Sequence, residues 1–324
     1  METFRIICQT GSKSVITFNL NRLIQAWYRK ESDRQETQFK FDESCYPSLK
    51  KYLTKLLDRV YKYHHAYNEL LWDMYDANLL PAYRAGFIDL NKQYLTLGLN
   101  GLNQAAEFLG MDCSVNEEYS RFCQEIFSFF KEQNELHKDK TSKHHLIFNT
   151  EQVPAESLAR KNYIWDRDDG YWVPDDTNLY ASYVFKPNDT TVSVLDKIKM
   201  HGKEYIGEFL DGGSACHINL DSHLSSKQYK QLLNYAAKEG CSYLTFNIPM
   251  TECKECGKIV NAPVSECPEC HSKNLNFYTR IIGYLTAVKN WNDGRKKEFE
   301  TRVFNRVEED DSGEYIKYNK YKAK

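Results

Sequence analysis

Two Cys-x-x-Cys pairs, Cys253/Cys256 and Cys267/Cys270, are separated by ten residues, and no other feature of this sequence constrains its folding as strongly. Each pair can form a tight turn that aims two thiolates at one centre. Together they supply the four ligands of a tetrahedral structural Zn²⁺. Gly257 follows the first pair, where a knuckle favours a residue without a side chain. Iron uses the same ligand set, and four free or disulfide-bonded cysteines are the plain alternative. Four cysteine ligands leave no open position for a catalytic water, so a structural metal is expected. His271, beside the last ligand, does not change that expectation.

The other six of the ten cysteines are scattered along 324 residues. The N-terminus has no long apolar stretch of the signal-peptide kind, so the pattern favours reduced thiols and a cytoplasmic protein. Cys45, Cys113, Cys123, Cys216 and Cys241 are expected to pack in cores. No apolar run approaches a membrane span. The net charge of −2 gives no basic field for nucleic acid or an anionic membrane, and Glu252, Glu255, Glu266 and Glu269 surround the cysteine pairs.

The chain mixes strands and helices without an internal repeat. Residues 14–20 read as a buried strand and 94–99 as a second, with a helix from Gly101 to about Phe108 that Gly110 ends. Leu49, Leu53, Leu57 and Val60 mark a long helix from Pro47 to about Ala77. Ser114-x-x-Glu117 predicts a capping box before Phe122, Ile126 and Phe130, and Ser225-x-x-Gln228 predicts another for a helix ending at Gly240. Residues 144–150 and 242–248 read as strands. Residues 166–188 read as loop, and the last dozen residues as a frayed tail.

Past the second cysteine pair comes Arg280-Ile-Ile-Gly283-Tyr-Leu285. Alone, a glycine in an apolar strand marks a bulge or a close backbone approach. Placed after a four-cysteine site, it resembles the C-terminus of the anaerobic (class III) ribonucleotide reductases, a glycyl-radical family. In that family a zinc site precedes an Arg-x-x-Gly-Tyr-Leu radical loop. The likeness continues, in the family's order, through Ser14-Val-Ile-Thr-Phe-Asn-Leu-Asn-Arg22, Leu97-Gly-Leu-Asn-Gly101, Glu151-Gln-Val-Pro-Ala-Glu156, Asp211-Gly-Gly-Ser-Ala-Cys-His-Ile-Asn-Leu220 and Tyr243-Leu-Thr-Phe-Asn-Ile-Pro249.

The resemblance implies an α/β fold: half of a ten-stranded barrel with surrounding helices over residues 1–250, a zinc ribbon over 251–275, and a glycyl radical loop and tail over 276–324. It implies that an activase with a 4Fe-4S cluster cleaves S-adenosylmethionine and takes a hydrogen from Gly283. A cysteine thiyl then takes the 3′-hydrogen of a ribonucleoside triphosphate, and formate or a thioredoxin-like protein supplies reducing equivalents. Family members are about twice as long, so the expectation is a split-gene product or fragment. Such a half would be inactive without an N-terminal half or a homodimer partner.

Three further site residues are expected from the same likeness. Cys8 lies on the side of the 14–20 strand where the family has its thiyl cysteine, at a shorter spacing; a buried strand cysteine is the alternative. Asn19 would hydrogen-bond a ribose hydroxyl, or else satisfy backbone groups at a strand end. Glu156 would act as general base towards the 3′-hydroxyl, or be a surface carboxylate. Gly212 and Gly213 would allow close approach or make a turn, and His217 reads as structural. Two rival functions stay open: a radical-bearing accessory subunit without its own thiyl cysteine, and a non-catalytic zinc-ribbon binding module.

Overall fold

A run of β-branched and apolar residues starts the described chain as strand β1 (Gly11–Asn19), and Asn19 then caps helix α1 (Leu20–Ser32) by accepting the Arg22 N–H. The computed structural model describes residues 10–33, 39–153, 157–207, 209–281, 284–309 and 316–322. Residue 20, expected in the strand, is therefore the first residue of a helix that the sequence reading did not anticipate. A long helix α2 (Tyr46–Asp76) follows, close to the expected bounds, and Pro81 opens a short α3 (Pro81–Arg84).

Strand β2 (Gln93–Asn100) leads into α4 (Leu102–Phe108), with Gly110 at φ 86° just beyond its end. Helix α5 (Glu117–His137) is capped by Asn116, whose side chain accepts from Tyr119 N at 2.8 Å. Ser114 instead bonds Asp112, so the N-cap lies two residues beyond the expected one and is a single bond rather than the expected box. Strand β3 (Phe148–Gln152) begins four residues later than expected. Helix α6 (Leu158–Asp168) occupies the start of the expected 166–188 loop and buries Asp166. After α7 (Val194–Met200) come β4 (Cys216–Asn219), α8 (Ser226–Glu239) and β5 (Leu244–Asn247). Ser225 and Gln228 form the expected capping box of α8, and Gly240 ends it at φ 79°.

β1, β2 and β3 pair in parallel in that order, and so do β4 and β5. A parallel bridge between Glu151 and Gly213 links the two groups, with Gly212 N bonded to Thr150 O at 2.9 Å. A Cβ on Gly212 would lie 2.7 Å from that carbonyl, so the glycine permits the close approach. Five parallel strands thus follow one another in chain order among the described residues.

One face of these strands packs on helices: Leu95, Leu97, Leu99, Phe18, Phe148, Cys216 and Ile218 belong to a single core. Phe18 meets Phe130 of α5 edge-on at 5.3 Å. Alternation puts Thr17, Thr96, Asn149, Glu151, His217 and Asn247 on the opposite face. Parallel sheets are normally covered by apolar contacts on both faces; this one has a polar second face.

Strands β6 (Met250–Cys253), β7 (Ile259–Val260), β8 (Leu275–Arg280) and β9 (Leu285–Ala287) form an antiparallel sheet in the order β7-β6-β8-β9. This sheet crosses both expected boundaries, 250/251 and 275/276, so the cysteine turns and the glycine hairpin share one structural unit. Helix α9 (Asp293–Thr301) precedes β10 (Val303–Glu309), which pairs with β11 (Ile316–Lys322). The expected frayed tail therefore includes a strand over 316–322. Cys45, Cys113, Cys123 and Cys216 are buried as expected, whereas Cys241 is half-buried. No helix of the described residues is long and apolar enough to cross a membrane.

Candidate functional site

The sulfurs of Cys253, Cys256, Cys267 and Cys270 lie within 4.8 Å of one another. Cys253 and Cys270 approach to 3.5 Å, and Cys256 and Cys267 to 3.6 Å. A tetrahedral zinc with Zn–S bonds of about 2.3 Å places its sulfurs roughly 3.8 Å apart, so the donors present fit such an ion. The two turns repeat one geometry. Gly257 N bonds Cys253 O and His271 N bonds Cys267 O, both at 3.0 Å, and the residues after each pair have φ 75° (Gly257) and 56° (His271). His271 is thus the counterpart of Gly257, with its ring turned to Glu266 at 2.9 Å and away from the sulfurs. The N–H of Cys256, followed by that of Glu255, draws the Cys253 thiol down to about 7.

Cys253 faces Leu275 across the β6–β8 pair, and β8 then runs away from the cluster into a hairpin with β9. Arg280 pairs with Leu285, and β8 and β9 are joined through residues that include Gly283 in the sequence. Gly283 lies outside the described residues, as do Cys8 and Glu156. Tyr284, next to Gly283, is 82% exposed. The stem is fastened to the ends of the parallel strands. Asn247 Oδ1 accepts from the Thr279 hydroxyl at 2.9 Å and from Arg280 N at 3.2 Å, while Asn247 Nδ2 donates to Asn219 Oδ1 at 2.7 Å. Asn305 donates to Asn219 O at 2.9 Å and completes a buried carboxamide chain.

At the other edge of the sheet, Asp166 collects donors. It accepts from Asn19 at 2.9 Å, Asn21 at 3.1 Å, Tyr180 at 2.5 Å and Arg22 at 2.6 Å. Asn19 therefore has its amide on Asp166 and its oxygen on the α1 cap, the backbone role set beside its ribose role. The sequence reading missed Asp166; the signal was Asp166 itself, an acid inside an amphipathic helix misread as loop. Glu151, also missed, sits half-buried on the polar face, and burial raises its carboxyl above the usual range. His217 is buried with neither ring nitrogen bonded among the described residues; burial, then Arg302 and Arg280, lower it to about 4.

A family model described as anaerobic ribonucleoside-triphosphate reductase matches residues 2–304. The chain belongs to that family. Solved structures agree with the reductase assignment. One described as an anaerobic ribonucleotide reductase is 25% identical with a TM-score of 0.74, covering 91% of this chain and 45% of that one. The Thermotoga maritima anaerobic ribonucleotide reductase with glycerol in its active site is 25% identical with a TM-score of 0.71, covering 89% of this chain and 45% of that one. The same values hold for the Thermotoga maritima reductase in complex with dATP and CTP. The chain thus spans about 45% of the length of the reductases it matches. No curated protein matches it.

Proposed function

We propose that this chain is the radical-bearing part of an anaerobic ribonucleoside-triphosphate reductase, with Gly283 as the radical residue. The observation that carries the reading is the hairpin of β8 and β9. It starts at a four-cysteine cluster, is fastened by Asn247 to the ends of two parallel strands, and Gly283 falls in the sequence between its two strands. A glycine suits the role because its α-carbon radical can lie flat between two amides, where a side chain would crowd or twist it.

In this reading the five parallel strands over 1–250 are half of a ten-stranded barrel, and their polar face is the wall that the other half and the hairpin tip cover. Residues 251–275 hold a structural zinc in a ribbon, and 276–324 carry the radical loop and tail. An N-terminal reductase half or a second copy supplies what a half-barrel lacks. An activase that cleaves S-adenosylmethionine with a 4Fe-4S cluster generates the radical by taking one hydrogen from Gly283. Cys8 is the candidate thiyl, Glu156 the candidate base, and Asn19 a candidate ribose contact. The substrate is a ribonucleoside triphosphate, and formate or a thioredoxin-like protein is the reductant.

Electron paramagnetic resonance tests the reading after strictly anaerobic incubation with a cognate activase and S-adenosylmethionine. A doublet-like organic radical that disappears in Gly283→Ala is the expected result. A folded, zinc-loaded protein that yields no radical with or without an N-terminal partner would exclude it.

A further inference from the structure

A buried ion cluster that neither the metal centre nor the sheet explains lies against the hairpin. The Glu298 carboxylate takes Arg295 Nη1 on one oxygen and Arg302 Nη2, at 2.5 Å, on the other, and all three side chains are at most 6% exposed. Burying charge is unfavourable even when it is paired, so packing alone is a weak reason for such a cluster.

Its second arm suggests a better one. Arg302 Nη1 donates to the carbonyl of Arg280 at 2.9 Å. The same guanidinium lies over Trp291, 5.5 Å from the ring centroid. Trp291 packs with Ile281 and donates Nε1 to the Thr286 hydroxyl at 2.8 Å, so this unit touches both strands of the hairpin. The Tyr183 hydroxyl reaches the carbonyl of Ile281 at 3.3 Å. Two consecutive carbonyls just ahead of Gly283 are therefore held by side chains from outside the hairpin.

We propose that Arg302 is a positioning residue that fixes the peptide leading into Gly283, with Glu298 and Arg295 holding its guanidinium in place. The proposal rests on the reading of Gly283 as the radical residue. The planar fork of arginine can serve a carboxylate and a carbonyl at once, whereas a lysine ammonium reaches them only as a point donor. Hydrogen transfer between fixed centres is sensitive to misplacements of about 1 Å, which gives such a grip a chemical purpose.

The test compares the zinc-loaded full chain with Arg302→Lys and Arg302→Gln. Hydrogen–deuterium exchange reports on the backbone over 276–287, and electron paramagnetic resonance on the lifetime of the radical after activation. The expected result for Arg302→Lys is at least tenfold faster exchange in the hairpin with β1 to β3 unchanged, and a doublet that forms but decays at least tenfold faster under argon. Arg302→Gln, which strands Glu298 with one partner, should show a larger effect or fail to fold; in the latter case Arg302→Lys decides. Unchanged hairpin exchange and unchanged radical lifetime in a folded Arg302→Lys protein would overturn the proposal. Should the unsubstituted chain yield no Gly283-dependent radical with or without an N-terminal partner, the radical reading falls, and an unchanged exchange pattern would then remove the grip as well.

Discussion

Asn247 Oδ1 accepts two hydrogen bonds from the hairpin, one from the Thr279 hydroxyl and one from the Arg280 N–H, while its amide donates to Asn219. One buried carboxamide thus joins the hairpin stem to the ends of both β4 and β5. Asn247→Ala would leave the Thr279 hydroxyl and the Asn219 oxygen buried without a partner, at about 1–3 kcal/mol for each such group. Urea denaturation should show a loss of about that size with the zinc content unchanged. A change below about 0.5 kcal/mol, the range of ordinary surface substitutions, would mean that the hairpin is held elsewhere.

The metal should support the hairpin through the same sheet. Cys253 ends β6 directly opposite the first residue of β8, so the cluster clamps the strand that leads to Arg280. One zinc per chain is expected by atomic emission, and Cys267→Ser should lose it. Chelation should then speed amide exchange across 275–280 while leaving the core strand over 95–99 protected. Uniform loss of protection in both segments would show that the zinc supports the whole fold.

Gly98 offers a test of how closely the parallel strands are packed on their polar face. A Cβ there would lie 2.4 Å from Val153 Cγ2 and 2.6 Å from Thr17 Oγ1. Gly98→Ala should destabilise by about 1–3 kcal/mol, the usual cost of overpacking. The clash comes from two β-branched side chains whose rotamers are restricted. A wild-type melting temperature for Gly98→Ala would show that Thr17 and Val153 move aside.

Where local chemistry decides, the sequence was readable. Leu49, Leu53 and Leu57 recur at helical spacing and are all buried on α2. Ser225 and Gln228 form a cap that needs no tertiary partner. The cysteine cluster was legible for the same reason, because a Cys-x-x-Cys turn carries its own geometry. What escaped depended on distant partners. α1 mixes its apolar residues with buried Asn21 and Gln25, which are satisfied by Trp172 O and Asp166, about 150 residues away in sequence. Asp166 looked like a loop acid because its four donors come from two other segments, residues 19–22 and Tyr180. Nor does anything local in Arg302 or Glu298 reveal that they meet the hairpin; an (i, i+4) pair on a short helix usually marks a solvated face.

Acid sensitivity provides the last test, because three buried histidines titrate in the same direction. Burial is the leading cause for each of His64, His201 and His217, and lowers all three to about 4. A depressed histidine favours folding while it is neutral. The contribution is therefore complete above an unfolded value near 6.5 and is lost as pH falls from there towards 4. Glu298 behaves differently: although burial opposes it, Arg295 and Arg302 hold it down at about 2, so its contribution persists until pH falls below about 4.5. Stability should therefore drop between pH 6.5 and 4.5 on account of the histidines, at up to about 1.4 kcal/mol per pH unit for each one, offset in part by the raised buried carboxyl of Glu151. His64, with neither ring nitrogen bonded, is the cleanest site to change. In urea titrations at pH 7, 6 and 5, His64→Leu should lose roughly a third of the pH slope, and a variant with the full slope would place the acid lability in other groups.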